Sequence, residues 1–275
     1  PAGLERLRRA GCNRLSIGVQ SLDDRALAVL GRIHSAAEAR AAVRAARNAG
    51  FENLSLDLMY GLPGQSAADW RATLEQALAL GPDHRSLYEL TPEEGTPLSA
   101  DLRAGRLTLP SEEEVLAMMA VIDALVAASP LRRYEISNYA AVGRECRHNL
   151  TYWQNGCYLG LGPGATAFYG GVRRTAVADP DEYCRRLGQG RSVWQVEERL
   201  DREAAFRETV VMGLRLTAGV DETALRRRFG LDPASYYGPL LEQLVAQGLL
   251  VRRDGRLRLT AAGLPLANRV MAELV

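Results

Sequence analysis

The stretch NRLSIGVQ, at Asn13–Gln20, most constrains the fold of this chain. Apolar residues occupy every second position and two of them are β-branched, which predicts a buried β-strand. Gly18 removes a side chain, so another group can approach the backbone closely there. Gln20 stands at the carboxyl end of the strand, where α/β folds place their ligands. The stretch therefore predicts both a strand and the edge of a binding site.

Strands and helices alternate along the first part of the chain, with short connections. Two further strands are predicted at Asn53–Tyr60 and His84–Thr91. The intervening helices include two that begin with capping boxes, Ser35 with Glu38 and Ser66 with Asp69. The predicted helices are Pro1–Ala10, 22–31, 35–48 and Ser66–Leu80. This alternation is typical of a parallel sheet with right-handed crossovers, and so of the α/β class.

The middle of the chain is less regular. Pro92–Pro110 is predicted to be irregular, 111–128 to be a helix, and Tyr134–Tyr139 to be a fourth strand. Gly143–Gly171 is dense in glycine and aromatic residues and shows no helical period. Its GLGPGA run leaves backbone amides open to a phosphate, a carboxylate or a flat ring.

The last part of the chain has the pattern of a small helical module. Helices are predicted at Asp201–Leu216, Asp221–Phe229, Pro239–Gln247 and Pro265–Leu274. Asp254-Gly255 separates two alternating runs and predicts a β-hairpin. Three helices and a hairpin resemble a winged helix. We nevertheless expect no nucleic-acid partner, because all 34 basic residues are arginine and Arg226–Arg228 is the one basic cluster.

Composition narrows the class further. The chain has 275 residues, a net charge of +1 and 47% hydrophobic residues, which predicts a soluble globular protein. No apolar run approaches the roughly 20 residues that span a bilayer. The spacing of the cysteines, Cys12, Cys146, Cys157 and Cys184, matches no zinc or iron–sulfur motif. They are expected to be free thiols in a reducing cytoplasm.

A histidine in the glycine-rich stretch is the main candidate for a ligand-binding residue. His148 is followed by Asn149, Tyr152 and Trp153. A histidine flanked by aromatic residues can ligate a haem iron or stack on a flat macrocycle. It can equally form a hydrogen bond within a loop, and the local residues leave both interpretations open.

Seven segments in a fixed order carry a resemblance to a known family. They are GCNRLSIGVQS, LGRIHS, LDLMYGLPGQ, LYELTPEEGTP, YEISNYA, CRHNLTYW and YLGLGPGA. In these the chain resembles the HemW family of radical S-adenosylmethionine (SAM) haem chaperones, which is close to the oxygen-independent coproporphyrinogen III oxidases. The resemblance implies a partial radical SAM (β/α) barrel followed by the family's C-terminal domain. It divides the chain into 1–110 within the barrel, 111–199 closing it, and 200–275 as the winged-helix-like domain.

The resemblance also implies which residues bind SAM. Gln20 would contact SAM, Arg32 would meet its carboxylate, and Asp57 would bind the ribose hydroxyls. Thr91 would lie near the adenine. These residue types suit their roles, because a guanidinium binds a carboxylate in a bidentate manner and a carboxylate accepts two hydroxyl hydrogen bonds. An alternative for Asp57 is an ion pair with an arginine inside the barrel.

By the same resemblance, HNLTYW matches a motif associated with haem handling. His148 becomes the leading candidate for the iron ligand. Asn149, Tyr152 and Trp153 would support it or stack on the haem ring.

One departure from the family pattern is large. The family holds a 4Fe–4S cluster with cysteines spaced C-x3-C-x2-C, and that motif is absent here. We expect Pro1–Val275 to be the C-terminal portion of a longer protein, with the cluster in that parent only. We expect this chain alone not to cleave SAM reductively.

Three functions are compatible with these residues. The first is a haem chaperone that binds haem and SAM and delivers haem to an acceptor protein. Any membrane association would then come through the acceptor. The second is an enzyme that decarboxylates coproporphyrinogen III through a 5′-deoxyadenosyl radical in porphyrin biosynthesis. The third is a non-catalytic interaction module that binds neither ligand.

Overall fold

A computed structural model describes residues 2–275 of the chain. Pro1, the first residue of the predicted N-terminal helix, lies outside the described residues. The chain forms two compact units, which divide between Glu145 and Cys146. The three-part division predicted from the sequence stays a prediction.

The first unit contains helices and strands in alternation. In chain order they are α1 (Ala2–Arg9), β1 (Arg14–Gln20), α2 (Asp24–Val29), α3 (Ala36–Asn48), β2 (Asn53–Tyr60), α4 (Ala67–Ala79), β3 (His84–Glu89), α5 (Pro97–Arg103), α6 (Glu112–Ala127), β4 (Arg132–Arg133) and β5 (Asn138–Ala140).

The second unit begins with a helix and then a sheet, and continues with the helical module. In chain order its elements are α7 (Arg147–Trp153), β6 (Thr166–Tyr169), β7 (Val172–Ala176), α8 (Pro180–Gly188), β8 (Trp194–Arg199), α9 (Arg202–Leu214), β9 (Val220–Asp221), α10 (Glu222–Phe229), α11 (Pro233–Tyr237), α12 (Pro239–Ala246), β10 (Leu250–Arg253), β11 (Arg256–Leu259) and α13 (Ala267–Glu273).

The sheet of the first unit is organised by three parallel strands. Its strand order is β1-β2-β3-β5-β4, and β1, β2 and β3 run parallel. Leu54, Leu56 and Leu58 of β2 are fully buried in one hydrophobic core. Trp70 and Leu74 of α4 belong to the same core. The predicted α/β fold is confirmed, as an open sheet rather than a closed barrel.

Local sequence signals set the helix boundaries as predicted. Ser35 with Glu38 and Ser66 with Asp69 both form complete capping boxes, which satisfy amide groups at the starts of α3 and α4. Asp254 and Gly255 both have positive φ, at 54° and 70°, as a two-residue hairpin turn requires. The β10–β11 hairpin follows from that turn.

The predicted fourth strand is wrong. Tyr134–Tyr139 is not one strand; instead β4 and β5 flank a turn and pair antiparallel with each other, and β5 pairs antiparallel with β3. The Glu135 carboxylate accepts hydrogen bonds from the Ser137 N–H at 3.1 Å and from the Asn138 amide. These bonds hold the chain in a turn although the sequence alternates like a strand. The sheet is therefore mixed, not wholly parallel.

Three other predictions need correction. β3 ends at Glu89, so Thr91 follows the strand rather than belonging to it. The segment predicted to be irregular, Pro92–Pro110, contains α5, which Thr96 caps and Pro97 begins. The glycine-rich stretch contains α7, although no side chain caps it. Helices of seven residues depend on tertiary contacts for their stability. They are also too short to show a clear hydrophobic period, so the sequence pattern did not predict them.

Two glycines with similar backbone conformations but different surroundings allow a test of the second unit. Gly219 and Gly230 have nearly the same positive φ, 66° and 65°. A Cβ on Gly219 would collide with the carbonyl oxygen of Leu257, whereas a Cβ on Gly230 meets nothing within 4 Å.

We expect Gly230→Ala to lower the free energy of unfolding by about 1 kcal/mol through backbone strain alone. Gly219→Ala should cost about 1–3 kcal/mol more, because the β9–β11 contact must shift. Urea unfolding of both variants measures the difference. Equal losses would contradict the close approach at Gly219.

Candidate functional site

A row of polar side chains lies on one face of the three parallel strands. Side chains alternate across a strand, so the leucines of β2 face the core while Ser55 and Asp57 share the other face. The register aligns Ser55 with His84 and Asp57 with Ser86 on β3. On β1, Gly18 is aligned with Asp57. Polar side chains of β2 and β3 thus share one face of the sheet, over the first half and the middle of these strands.

Asp57 is held by serine hydroxyls. Ser16 Oγ lies 3.0 Å from both carboxylate oxygens, and Ser55 Oγ donates to Oδ1 at 3.3 Å. The carboxylate is only half-buried. In the described part of the chain no arginine forms an ion pair with Asp57. Its partners are serine hydroxyls and not the arginine inside the barrel that was the alternative to a ligand-binding role. A carboxylate has about four lone-pair positions, so acceptor capacity remains.

Gln20 ends β1 in a left-handed conformation, with φ 64°. Its side chain folds back over Gly18, and a Cβ there would lie 2.8 Å from the Gln20 Nε2. The close approach that Gly18 predicts is therefore the amide of Gln20 itself. This places the Gln20 amide beside Gly18, which is paired with Asp57.

Arg32 lies in the loop between α2 and α3, and Thr91 lies in the loop after β3. Arg32 is exposed, and its backbone N–H donates to the Leu27 carbonyl at 2.9 Å. The His34 Nε2 lies 3.2 Å from the carbonyl of Val19, which fixes this loop to the end of β1. Thr91 is exposed two residues after the end of β3. Both therefore lie on the carboxyl side of the sheet, where α/β folds place their ligands.

His84 is a component of this face that the sequence interpretation did not select. It is fully buried, with Nδ1 2.8 Å from Ser55 Oγ and Nε2 2.9 Å from the Tyr134 hydroxyl. Burial, and to a lesser degree the charge of Arg14, lowers the pKa of His84 to about 3. The available sequence signal was the alternation of Ser55 and Asp57 with leucines in NLSLDL, followed by a histidine at the start of the next predicted strand.

In the second unit, α7 carries the predicted haem-binding residues. His148 is exposed, and its ring packs edge-on against Tyr152 at 4.8 Å between centroids. Tyr152 in turn packs against Tyr158 at 4.6 Å. After Tyr158 come two strongly exposed apolar side chains, Leu159 at 75% and Leu161 at 90%. An imidazole, an aromatic pair and exposed leucines thus occur within fourteen residues of chain.

The structure separates Trp153 from this group. The helix turns by about 100° per residue, so Trp153 lies about 140° around α7 from His148. Arg215 stacks over its indole at 4.2 Å. Trp153 also lines a cavity of about 260 Å³ with residues of α9, β9 and α10. Asn149 is half-buried. Trp153 therefore attaches α7 to the helical module instead of standing beside His148 and Tyr152.

The described residues contain no group of three or more His, Cys, Asp or Glu side chains placed to hold a metal ion. Cys12, Cys157 and Cys184 are exposed thiols, whereas Cys146 is buried. Within residues 2–275, no helix is both long and apolar enough to cross a membrane.

Comparison with known proteins identifies the class of this fold. Residues 1–77 match the radical SAM superfamily, and residues 200–266 match the HemN C-terminal domain. Coproporphyrinogen III oxidase (HemN) from Escherichia coli has the same fold, with a TM-score of 0.82 and 22% identity over 99% of this chain and 66% of that one. The chain therefore has a radical SAM fold with a HemN-type C-terminal domain.

Curated relatives define the family more closely. "Heme chaperone HemW" of Bacillus subtilis (strain 168) is 35% identical over 97% of this chain and 70% of its own length. The protein of the same name from Mycobacterium tuberculosis (strain H37Rv) is 36% identical over 98% of this chain and 67% of its own length. That of Lactococcus lactis is 32% identical. The chain belongs to the HemW family, which confirms the resemblance found in the sequence.

The buried histidine predicts how stability depends on pH. His84 stays neutral in the folded protein, because its pKa is lowered from 6.5 to about 3, whereas in the unfolded chain it takes up a proton near pH 6.5. The stability that depends on neutral His84 is fully present above pH 6.5 and is lost as the pH falls toward 3.

We expect this group to lower the free energy of unfolding by about 2 kcal/mol between pH 7 and pH 5. Urea unfolding at a series of pH values measures the loss. His84→Asn removes the titrating group, so its curve should be flatter by that amount. Parallel curves for the two proteins would show that His84 titrates normally.

Proposed function

We propose that this chain binds haem through its second unit and acts as the haem-binding part of a haem chaperone, which delivers haem to an acceptor protein. The exposed imidazole of His148 carries this proposal. The chain has three histidines. His84 is buried and bonded on both ring nitrogens, and the Nε2 of His34 faces a backbone carbonyl. His148 is the exposed one, so it is best placed to meet a haem iron.

The surroundings of His148 suit a large flat macrocycle. A haem needs an axial ligand together with apolar or aromatic surface for its faces. Tyr152 and Tyr158 supply aromatic surface next to the imidazole. The exposed leucines Leu159 and Leu161 supply apolar surface that the described chain leaves open to solvent. Membership of a family whose relatives are named heme chaperones supports the same ligand.

We further propose that the first unit binds SAM on the polar face of its sheet. Asp57 would accept hydrogen bonds from the ribose hydroxyls with the capacity that Ser16 and Ser55 leave unused. Arg32 would bind the carboxylate of SAM. Gln20 and Thr91 would complete the site at the carboxyl ends of β1 and β3. The exposure of Arg32 leaves its guanidinium available for a bidentate contact.

The described residues offer no cysteine group for a 4Fe–4S cluster. We therefore assign the cluster to no residue of this chain. Oxidation of coproporphyrinogen III stays the alternative function. The likeness to the Escherichia coli oxidase at 22% identity supports the shared fold alone.

We expect a haem titration of the chain, followed by absorbance, to give a saturable Soret shift. His148→Ala should weaken haem binding by at least about tenfold, because it removes the axial ligand. His34→Ala and Cys157→Ser are matched controls, an imidazole elsewhere and an exposed thiol in the same segment. Both should bind haem like the unchanged chain.

A Soret shift that survives in His148→Ala but is lost in Cys157→Ser would move the ligand to the thiol. The absence of a Soret shift in the unchanged chain would contradict haem binding by this chain. Consumption of coproporphyrinogen III by the protein would favour the oxidase instead.

We expect isothermal titration calorimetry to detect SAM binding that depends on Asp57. Asp57→Asn should weaken the affinity about 10- to 100-fold, because hydrogen bonds to a charged acceptor are lost. Glu75→Gln, an exposed carboxylate on α4, is the control and should bind normally. Equal affinities of the two variants would remove Asp57 from the site.

A further inference from the structure

Four polar groups form a continuous chain across three elements of the first unit. The Tyr134 hydroxyl, in the turn between β4 and β5, lies 2.9 Å from His84 Nε2. His84 Nδ1 on β3 lies 2.8 Å from Ser55 Oγ, and Ser55 on β2 lies 3.3 Å from Asp57 Oδ1. This series of hydrogen-bonded groups therefore begins at a phenol and ends at a carboxylate.

The carboxylate gives the hydrogen bonds of this series a common direction. Asp57 as a carboxylate only accepts, so the single proton of Ser55 Oγ points to it. Ser55 Oγ must then accept from His84, which places a proton on Nδ1. A neutral imidazole has no second proton, so Nε2 accepts from the Tyr134 hydroxyl. All three donors thus point toward Asp57.

Burial favours a neutral ring, and this arrangement gives each of its nitrogens a partner. His84 has no exposed surface, so a charged imidazole would be strongly disfavoured. The lowered pKa of His84 agrees with a neutral ring. Each ring nitrogen has one partner of the right kind, and both are side chains. The tautomer is therefore set by its partners on β2 and in the β4–β5 turn.

We propose that His84 is a positioning residue for the SAM site. Its Nδ1–H holds the Ser55 hydroxyl with its proton toward Asp57 Oδ1, so that the lone pairs of the carboxylate that the two serines do not use face the ribose hydroxyls. Ser16 donates from the other side, at 3.0 Å to each oxygen, and fixes the plane of the carboxylate. The inference rests on the proposed SAM site, and it adds residues that do not themselves contact the ligand.

The test compares two replacements of His84. In His84→Asn the side-chain amide can keep a donor at the position of Nδ1, whereas His84→Leu removes it. The probes are SAM, adenosine and 2′,3′-dideoxyadenosine, each titrated by calorimetry into the full chain. His84→Leu should weaken SAM and adenosine about fivefold, the value of one net hydrogen bond, and leave dideoxyadenosine unchanged. His84→Asn should restore most of the affinity.

A loss of affinity for all three probes in a folded His84→Leu would indicate a merely structural role and overturn the proposal. Unchanged affinity for SAM in that variant would also overturn it while leaving the SAM site intact. If the unchanged chain binds neither SAM nor adenosine, the proposed SAM site itself fails.

A second measurement does not depend on ligand binding. Nitrogen-15 NMR of the histidine rings in the unchanged chain should show His84 protonated on Nδ1 and unprotonated on Nε2. Tyr134→Phe should shift the Nε2 resonance and leave Nδ1 protonated. A ring protonated on Nε2 would reverse the donor direction and overturn the proposal.

Discussion

The alternation of side chains across three parallel strands is the constraint on which the first unit depends. One face of β2 consists of leucines that are fully buried in the core, and the other carries Ser55 and Asp57. A shift of one residue in register would exchange these faces, placing a carboxylate in the core and leucines on the polar face. The cost of burying that carboxylate without a partner fixes the register strongly. The fold and the candidate SAM site are therefore consequences of one pattern.

The polar face is stabilised by hydrogen bonds that reach across the sheet. His84 is buried, yet both of its ring nitrogens have partners, which removes the main penalty for a polar group in a core. The same bonds orient Ser55 toward Asp57. A network whose members are all satisfied adds rigidity to the site it supports. The atoms that stabilise the sheet are thus the same ones to which we assign the positioning of SAM.

The second unit leaves apolar side chains exposed next to the candidate haem ligand. The helical module buries Phe206, Leu225 and Leu257, and the β6–β7 hairpin buries Phe168 and Val172. Trp153 stacks under Arg215 and so orients α7, which leaves His148 and Tyr152 on another side of that helix. The exposed leucines at 159 and 161 follow the same helix. A surface that offers an imidazole beside apolar groups suits a ligand that is both flat and metal-containing.

The sequence by itself determined the features that depend on near neighbours: β1 and β2, the capping boxes of α3 and α4, and the Asp254-Gly255 turn. These depend on contacts within a few residues, which a pattern can reveal. The tertiary structure decided the turn between β4 and β5, the short helix α7, and the placement of Trp153 away from His148. It also decided the role of His84, whose partners lie 29 and 50 residues away in the chain. No local pattern encodes such distant pairs, because the packing of the whole sheet brings them together.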